Sequence, residues 1–319
     1  MRRIAATVTG LLLLTTAAAG DIDPRELLDR MNEAVRDLDY EGRFVVQSGS
    51  QLDAMYIVHR VDEGAEKERV VSLTGQPREI IRSGEAVACL TPGSDRHINV
   101  GRREHGRTVS PLRGVSAEQL ERFYRMQLLE PERVAGREAH QLLIEPSDDL
   151  RFGYRLFIDK QSDLPLRSMM LDTDRQVVSQ MMFTELRVNR GITPIERDLS
   201  AMQLARPETD VLQLHYQRLS PPAWTFSDLP AGFHLNAHRR TPLPSSDGVR
   251  EHFIFTDGLA TVSVYVQPAD GTATLPGASR LGSANAVGRL VADHEVIAVG
   301  EVPTKTLQLF AERLQAAER

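Results

Sequence analysis

Cysteine is nearly missing from this chain: Cys89 stands alone among 319 residues. That excludes an internal disulfide framework and a multi-cysteine zinc ribbon. An excess of basic charge is missing too. Lys+Arg 38 against Asp+Glu 44 leaves a formal net charge of -6, which argues against a general nucleic-acid binder, whose surface must neutralise phosphates. Beyond the first two dozen residues no segment is long and apolar enough to cross a bilayer. Nor is there an internal repeat or a low-complexity tract. At this length two domains are the default expectation.

Catalytic signatures are absent as well. The chain has no Gly-x-Ser-x-Gly elbow, phosphate loop or dinucleotide fingerprint. His294-Glu295 begins like a zinc-protease helix, but Ala298 stands where the second histidine ligand belongs. His234 and His238 would chelate only on a helix, and Pro230 and Gly232 favour a strand there. Asp172-Thr173-Asp174 and the acids between Glu145 and Asp149 have turn composition. No pair is poised for acid–base work, so an enzyme is not expected and no catalytic residue, metal or cofactor is assigned.

What is present begins with an address. Arg2-Arg3, an apolar stretch through Leu11-Leu12-Leu13-Leu14 and the small residues Ala17-Ala18-Ala19 form a signal peptide over residues 1–19. The mature chain is expected to start near Gly20. With no cysteine at the cleavage point, a lipid anchor is not expected. In an exported protein Cys89 has no internal partner, and Val87-Ala88-Cys89-Leu90 reads as a strand holding a small buried hydrophobe.

The pattern then gives one helix followed by many strands. Asp23-Pro24 opens a helix whose Leu27, Leu28, Met31, Val35 and Leu38 share a face. Strands are read at 42–48, 54–61, 68–73, 78–82 and 85–90, with others at 137–145, 154–159, 166–171 and 176–188. Ser116 and Gln119 form a capping box that starts a second helix, carrying Leu120, Phe123, Tyr124 and Gln127. In Phe44-Val45-Val46 and Met181-Met182-Phe183 alternation fails, as if both sheet faces were covered. An open barrel and a sandwich both fit that pattern. Residues 204–222, ending in Ser220-Pro221-Pro222, read as a linker between a first domain over 20–203 and a second over 223–319. The second domain holds strands at 232–237, 251–256, 259–267 and 294–300, with Asp257-Gly258 as a hairpin turn. Residues 270–285 read as a long loop, and Pro303 opens a last helix from Thr304 to about Ala316.

Two patches invite a binding role. Met169, Met170, Met181 and Met182 lie on neighbouring strands, either as ordinary core or as a pliable apolar pocket for acyl chains. The basic run from Arg96 to Arg113, with Arg102, Arg103, His105 and Arg107, is either a solvated loop or a surface for an acidic partner or lipid head groups.

Beyond these patterns, specific stretches carry a resemblance. They include Leu38-Asp39-Tyr40-Glu41-Gly42-Arg43-Phe44-Val45, Glu68 to Gly75 and Phe152-Gly153-Tyr154-Arg155-Leu156. Leu164-Pro165-Leu166-Arg167-Ser168, Leu229-Pro230-Ala231-Gly232-Phe233, Thr256 to Val264 and Val299 to Pro303 continue the series. In this order, from residue 23 to the C-terminus, they resemble the RseB/MucB family of envelope-stress regulators.

The resemblance implies an α+β, mostly β, molecule: an N-terminal unclosed antiparallel β-barrel similar to lipoprotein carriers, and a smaller α+β C-terminal domain. It implies a periplasmic protein that binds the periplasmic domain of a transmembrane anti-sigma factor. The bound segment is shielded from site-1 proteolysis until a lipid or lipopolysaccharide signal releases the regulator. A periplasmic lipid or lipoprotein carrier is the alternative, and homo-oligomerisation stays open. Carried onto this chain, a lipid pocket is expected on the concave side of the first domain at Phe44, Met55, Tyr124, Tyr154 and Met181. Partner anchors are expected at Trp224, Phe233, Phe253 and Tyr265, each of which has the composition of core as much as of interface.

Overall fold

A computed structural model describes residues 22–83, 86–90, 98–99, 109–189, 191–192, 222–243, 248–269 and 277–317. The expected signal peptide, Arg96, His97 and residues 100–108 of the basic run, and all but the last residue of the expected linker lie outside these. Helix α1, Pro24–Asp37, starts where expected: the Asp23 carboxylate accepts the Arg25 N–H at 2.9 Å and Pro24 occupies the first turn. Its buried face is Leu27, Leu28, Met31, Ala34 and Val35. Burying each large apolar side chain there contributes about 1.5–3 kcal/mol.

Six strands follow: β1 (Tyr40–Ser48), β2 (Gln51–Asp62), β3 (Ala65–Ser72), β4 (Glu79–Ser83), β5 (Ala86–Leu90) and β6 (Ile98–Asn99). Cys89 falls on β5. After the short helix α2 (Ala117–Glu121) come β7 (Tyr124–Val134), β8 (Arg137–Pro146), β9 (Gly153–Asp159), β10 (Pro165–Leu171) and β11 (Val177–Val188). All eleven join one antiparallel sheet in the order β6-β5-β4-β3-β2-β1-β11-β10-β9-β8-β7. Strands β6 and β7 end the series without pairing to each other, so the barrel is unclosed.

The second helix is shorter than its spacing implies. The capping box forms, with the Ser116 hydroxyl accepting the Gln119 N–H at 3.3 Å, but the helix ends at Glu121. Tyr124 instead opens an edge strand that the sequence reading missed. Pro131 is tolerated there because the register with β8 shifts between Leu129 and Glu132.

Helix α1 fills the concave side of the sheet. Leu27, Leu28 and Met31 pack with Tyr124, Tyr154, Leu156 and Met170, while Ala34 and Val35 pack with Tyr40, Phe44, Met181 and Phe183. A second apolar layer holds Val134, Leu143, Phe157, Met169 and Leu171, with Met182 against it. Burial on both faces explains the failed alternation. It also divides the methionine patch: Met170 and Met181 join the clusters under α1, whereas Met169 and Met182 join the other layer.

A strap at residues 109–116 closes over α1. The Asn32 side chain donates to the Val115 carbonyl at 3.0 Å and accepts the Gly114 N–H at 3.2 Å. Arg113 pairs with Glu66 and lies 3.6 Å from Glu68, both on β3. This end of the basic run therefore points inward and is not a solvated loop cation. Burial pushes the Glu66 carboxyl up, but its hydrogen bond to His59 and the Arg113 charge outweigh this and hold it below its usual 4.5.

The second domain is a six-stranded sheet in the order β13-β14-β15-β18-β17-β16. Its strands are β13 (His234–Pro242), β14 (Val249–Thr256), β15 (Thr261–Pro268), β16 (Gly277–Leu281), β17 (Ala284–Val291) and β18 (His294–Gly300). Helix α3 (Thr304–Glu312) packs on one face, burying Leu307 and Phe310 against Phe253, Phe255, Val262 and Val296. A small ribbon pairs β12 (Trp224–Phe226) with β19 (Leu314–Ala316).

Two expectations are corrected here. Residues 277–281 and 284–285 are strand and not loop; Gly277-Ala278-Ser279-Arg280-Leu281 lacks strand-favouring residues and takes its shape from pairing with β17. The last helix stops at Glu312, because Leu314 turns back to pair with Phe226.

Two outcomes follow from this packing. Gly42 sits on β1 between β2 and β11, where an added Cβ would strike the Glu185 carbonyl and lie 2.9 Å from the Phe183 ring. Gly42→Ala should lose about 1–3 kcal/mol of stability in urea unfolding. The depressed Glu66 carboxyl contributes stability that is present above its unfolded value and is lost as pH falls through its folded value. Urea midpoints should therefore drop below pH 4.5 in the parent, and Glu66→Gln should remove part of that acid slope.

A candidate functional site between the two domains

Among the described residues the two domains meet at two places, and both are built from turns. The first centres on Arg151, in the turn before β9. Its side chain and that of Asp257, in the β14–β15 turn, are fully buried. The Arg151 Nε donates to Asp257 Oδ2 at 2.5 Å, and the same guanidinium bonds the Asp148 carboxylate and the Ala231 carbonyl. Its plane lies between two rings, 4.4 Å from the Phe123 centroid and 5.0 Å from that of Phe233.

Asp257 is itself held in place. Its Oδ1 accepts the backbone N–H groups of Leu259 at 2.9 Å and Ala260 at 2.7 Å, the local Asx geometry that the Asp-Gly pair favours. The Tyr124 hydroxyl approaches Oδ2 at 3.4 Å; burial first and the Asp257 charge second push that hydroxyl well above its usual range, so it stays protonated. Gly232 has φ +87°, and a side chain there would run into the Phe123 ring and lie 2.8 Å from Arg151 Nη2. Leu259, beside Asp257, is 1% exposed and belongs to the apolar cluster of the first domain. Nearby, Lys305 pairs with Asp149 at 2.5 Å and the Thr306 hydroxyl donates to the Leu150 carbonyl at 2.7 Å.

The second contact joins two hairpin tips. The Ser48 hydroxyl bonds that of Ser283 at 3.1 Å and accepts the Ser283 N–H at 3.0 Å. Ser283 in turn donates to Glu301 at 2.5 Å. Close approach is possible because Gly282, at φ +60°, has no side chain to meet Ser48.

A cleft of about 430 Å³ is lined by residues of both domains. Tyr154 comes from the first; Leu259, Ser263, Tyr265, Val299 and Glu301 come from the second. Hydroxyl groups and apolar surface alternate along it, and Glu301 supplies its one charge. His252 stacks on Tyr265 at 4.1 Å and bonds the Ser263 hydroxyl at 3.0 Å, fixing that wall. Such a lining suits an extended peptide with small apolar side chains and a cation toward Glu301; it offers no counter-charge to an anionic head group.

The residues singled out in the sequence fall in distinct places. Phe44 and Met181 are buried below the C-terminal half of α1, with Met55 packed against them. Tyr124 and Tyr154 are buried below its N-terminal half. Among the partner candidates, Trp224, Phe233 and Phe253 are buried in the second core, and Tyr265 lines the cleft. The structure thus brings Tyr154 and Tyr265 to one cavity. The sequence reading places Asp257 only in a hairpin turn and does not single out Arg151, since the pair lies 106 positions apart. His234 and His238 lie on β13 without converging: His238 bonds Glu251 at 2.8 Å while His234 is exposed. Among the described residues no group of three His, Cys, Asp or Glu side chains is placed to hold a metal ion. Nor is any described helix long and apolar enough to cross a membrane.

Comparison with known proteins covers nearly the whole chain. Residues 23–207 match the MucB/RseB N-terminal domain and residues 218–315 the MucB/RseB C-terminal domain. The sigma factor AlgU regulatory protein MucB of Pseudomonas aeruginosa is 30% identical over 94% of this chain and 93% of its own length. The sigma-E factor regulatory protein RseB of Escherichia coli is 25% identical over 97% and 95%. The solved complex of Pseudomonas aeruginosa MucA and MucB overlays with a TM-score of 0.74 at 27% identity, covering 93% of this chain and 100% of that one. A structure of MucB with MucA(peri) gives 0.71 at 26% identity, and a structure of MucB gives 0.63 at 28%, each covering 93% of this chain. With both domain models matched in order and the fold shared throughout, the chain belongs to the MucB/RseB family.

Proposed function

We propose that this chain is a periplasmic negative regulator of the envelope stress response. It is exported by a signal peptide cleaved near Ala19 and binds the periplasmic segment of a transmembrane anti-sigma factor. Bound, it shields that segment from the site-1 protease; a lipid or lipopolysaccharide signal releases it. The observation that carries the reading is the cleft lined by both domains. A shuttle of lipid or lipoprotein needs the first domain alone, whereas this cleft is walled mostly by the second domain, with Tyr154 added from the first. The overlay supports it, being closer for the two structures that hold MucA than for the structure of MucB.

The two ligands occupy adjoining places in this reading, with Tyr154 at both. The partner segment lies in the cleft, along Tyr265 and toward Glu301. The lipid enters the concave side of the first domain, at Phe44, Met55 and Met181 under one half of α1 and Tyr124 and Tyr154 under the other. Because α1 and the 109–116 strap fill that side, lipid entry requires them to move. Release then follows from differential affinity: the lipid must favour the state that holds the partner less well.

The test follows cleavage of the anti-sigma factor's periplasmic segment by its site-1 protease, with and without the mature protein, and with lipopolysaccharide fragments as a third arm. Slower cleavage that the fragments restore is expected. Slower cleavage without restoration removes the lipid signal and keeps the regulator. No protection and no binding overturns the proposal in favour of a carrier.

A further inference from the structure

We infer that Arg151 is the positioning residue of the interdomain cleft: it holds the two domains in the one arrangement that forms the partner site. Its influence on partner binding, which rests on the function proposed above, passes through domain geometry and not through contact with the partner. Four observations lead to this. The guanidinium is wholly buried, so it cannot touch a partner lodged in the cleft. All its polar contacts across the junction, the Asp257 carboxylate and the Ala231 carbonyl, lie in turns of the second domain, while Asp148 and Phe123 hold it from the first. Asp257 precedes Leu259, a residue of the cleft lining, by two positions and accepts its N–H at 2.9 Å, so the ion pair is tied to that wall. The hairpin contact at Ser48 and Ser283 is made by hydroxyls and one backbone N–H and has no ion pair like that of Arg151.

The arrangement behaves as a two-state element. Clamped, the cleft has both walls; unclamped, Tyr154 parts from Tyr265 and the site is lost. Partner affinity then scales with the clamped fraction, so a variant clamped a tenth of the time binds about tenfold more weakly. The Ser48–Ser283 contact offers an independent way to restore the geometry. Their hydroxyl oxygens are 3.1 Å apart, and a small rearrangement brings two sulfurs there to bonding distance.

The experiment uses the full mature chain in a Cys89→Ala background. Arg151→Met removes the clamp, and Asp257→Asn weakens it while its Oδ1 can still accept from Leu259 and Ala260. The second variant keeps the test valid if the first fails to fold. Each is made with and without the Ser48→Cys, Ser283→Cys pair, oxidised and reduced. Small-angle scattering should show a larger radius of gyration in the singly altered proteins and the parent value once the pair is oxidised. The affinity for the anti-sigma periplasmic segment should fall about tenfold and return on oxidation. Because a cross-link also stabilises a fold, urea unfolding of each variant, oxidised and reduced, must show it folded under the binding conditions, so that recovered affinity reports geometry and not refolding. Unchanged scattering in folded Arg151→Met and Asp257→Asn overturns the inference, as does an affinity loss that oxidation leaves in place. A parent that does not bind the segment overturns the proposed function instead, and the scattering result still decides the clamp.

Discussion

A guanidinium with no exposed surface must satisfy every N–H inside the protein, and at Arg151 that demand is what organises the junction. Moving such a cation out of water costs several kcal/mol, and the attraction of one carboxylate rarely exceeds the loss. Here Asp257 and Asp148 supply two carboxylates, Ala231 a carbonyl and two phenyl rings the faces. The planar fork makes these bonds in fixed directions, which a lysine could not do. A pair buried in this way is weak evidence for net stability, and its directional bonds favour one arrangement of the two domains.

Everything around that contact is arranged for close approach. Gly232 stands where no side chain fits, Asp257 is pinned by the backbone of its own turn, and Gly282 clears the path to Ser48. Within each domain the cores are ordinary. A helix plugs an unclosed sheet on one side, and a second helix covers a smaller sheet on the other. At the boundary between these cores, side chains of both reach a common cavity.

Much of the architecture was legible from residue patterns. Asp23-Pro24 marked the first helix, Asp257-Gly258 the second domain's hairpin, and the two-sided apolar runs the doubly covered strands. What escaped notice had a common cause. Tyr124–Val134 carries helical spacing and becomes strand because an edge of β8 is available to pair with it. Gly277–Leu281 has no strand character of its own, and Leu314 leaves its helix to meet Phe226. In each case tertiary pairing decided, and pairing partners distant in sequence leave no local mark. The site shows the same limit. Aromatic residues such as Trp224, Phe233 and Phe253 were noticed for their size, which a core uses as readily as an interface. Asp257 read only as half of a hairpin turn, and Arg151 carried no local signal.

Leu259 carries a consequence for how the chain is made. It belongs by position to the second domain, yet it completes an apolar cluster otherwise formed by Leu27, Met31, Tyr124 and Tyr154. A polypeptide emerging from its N-terminus presents the first domain long before residue 259 arrives. The full set of buried side chains in that cluster is therefore available only once the chain extends through residue 259, more than two hundred positions beyond the helix it covers.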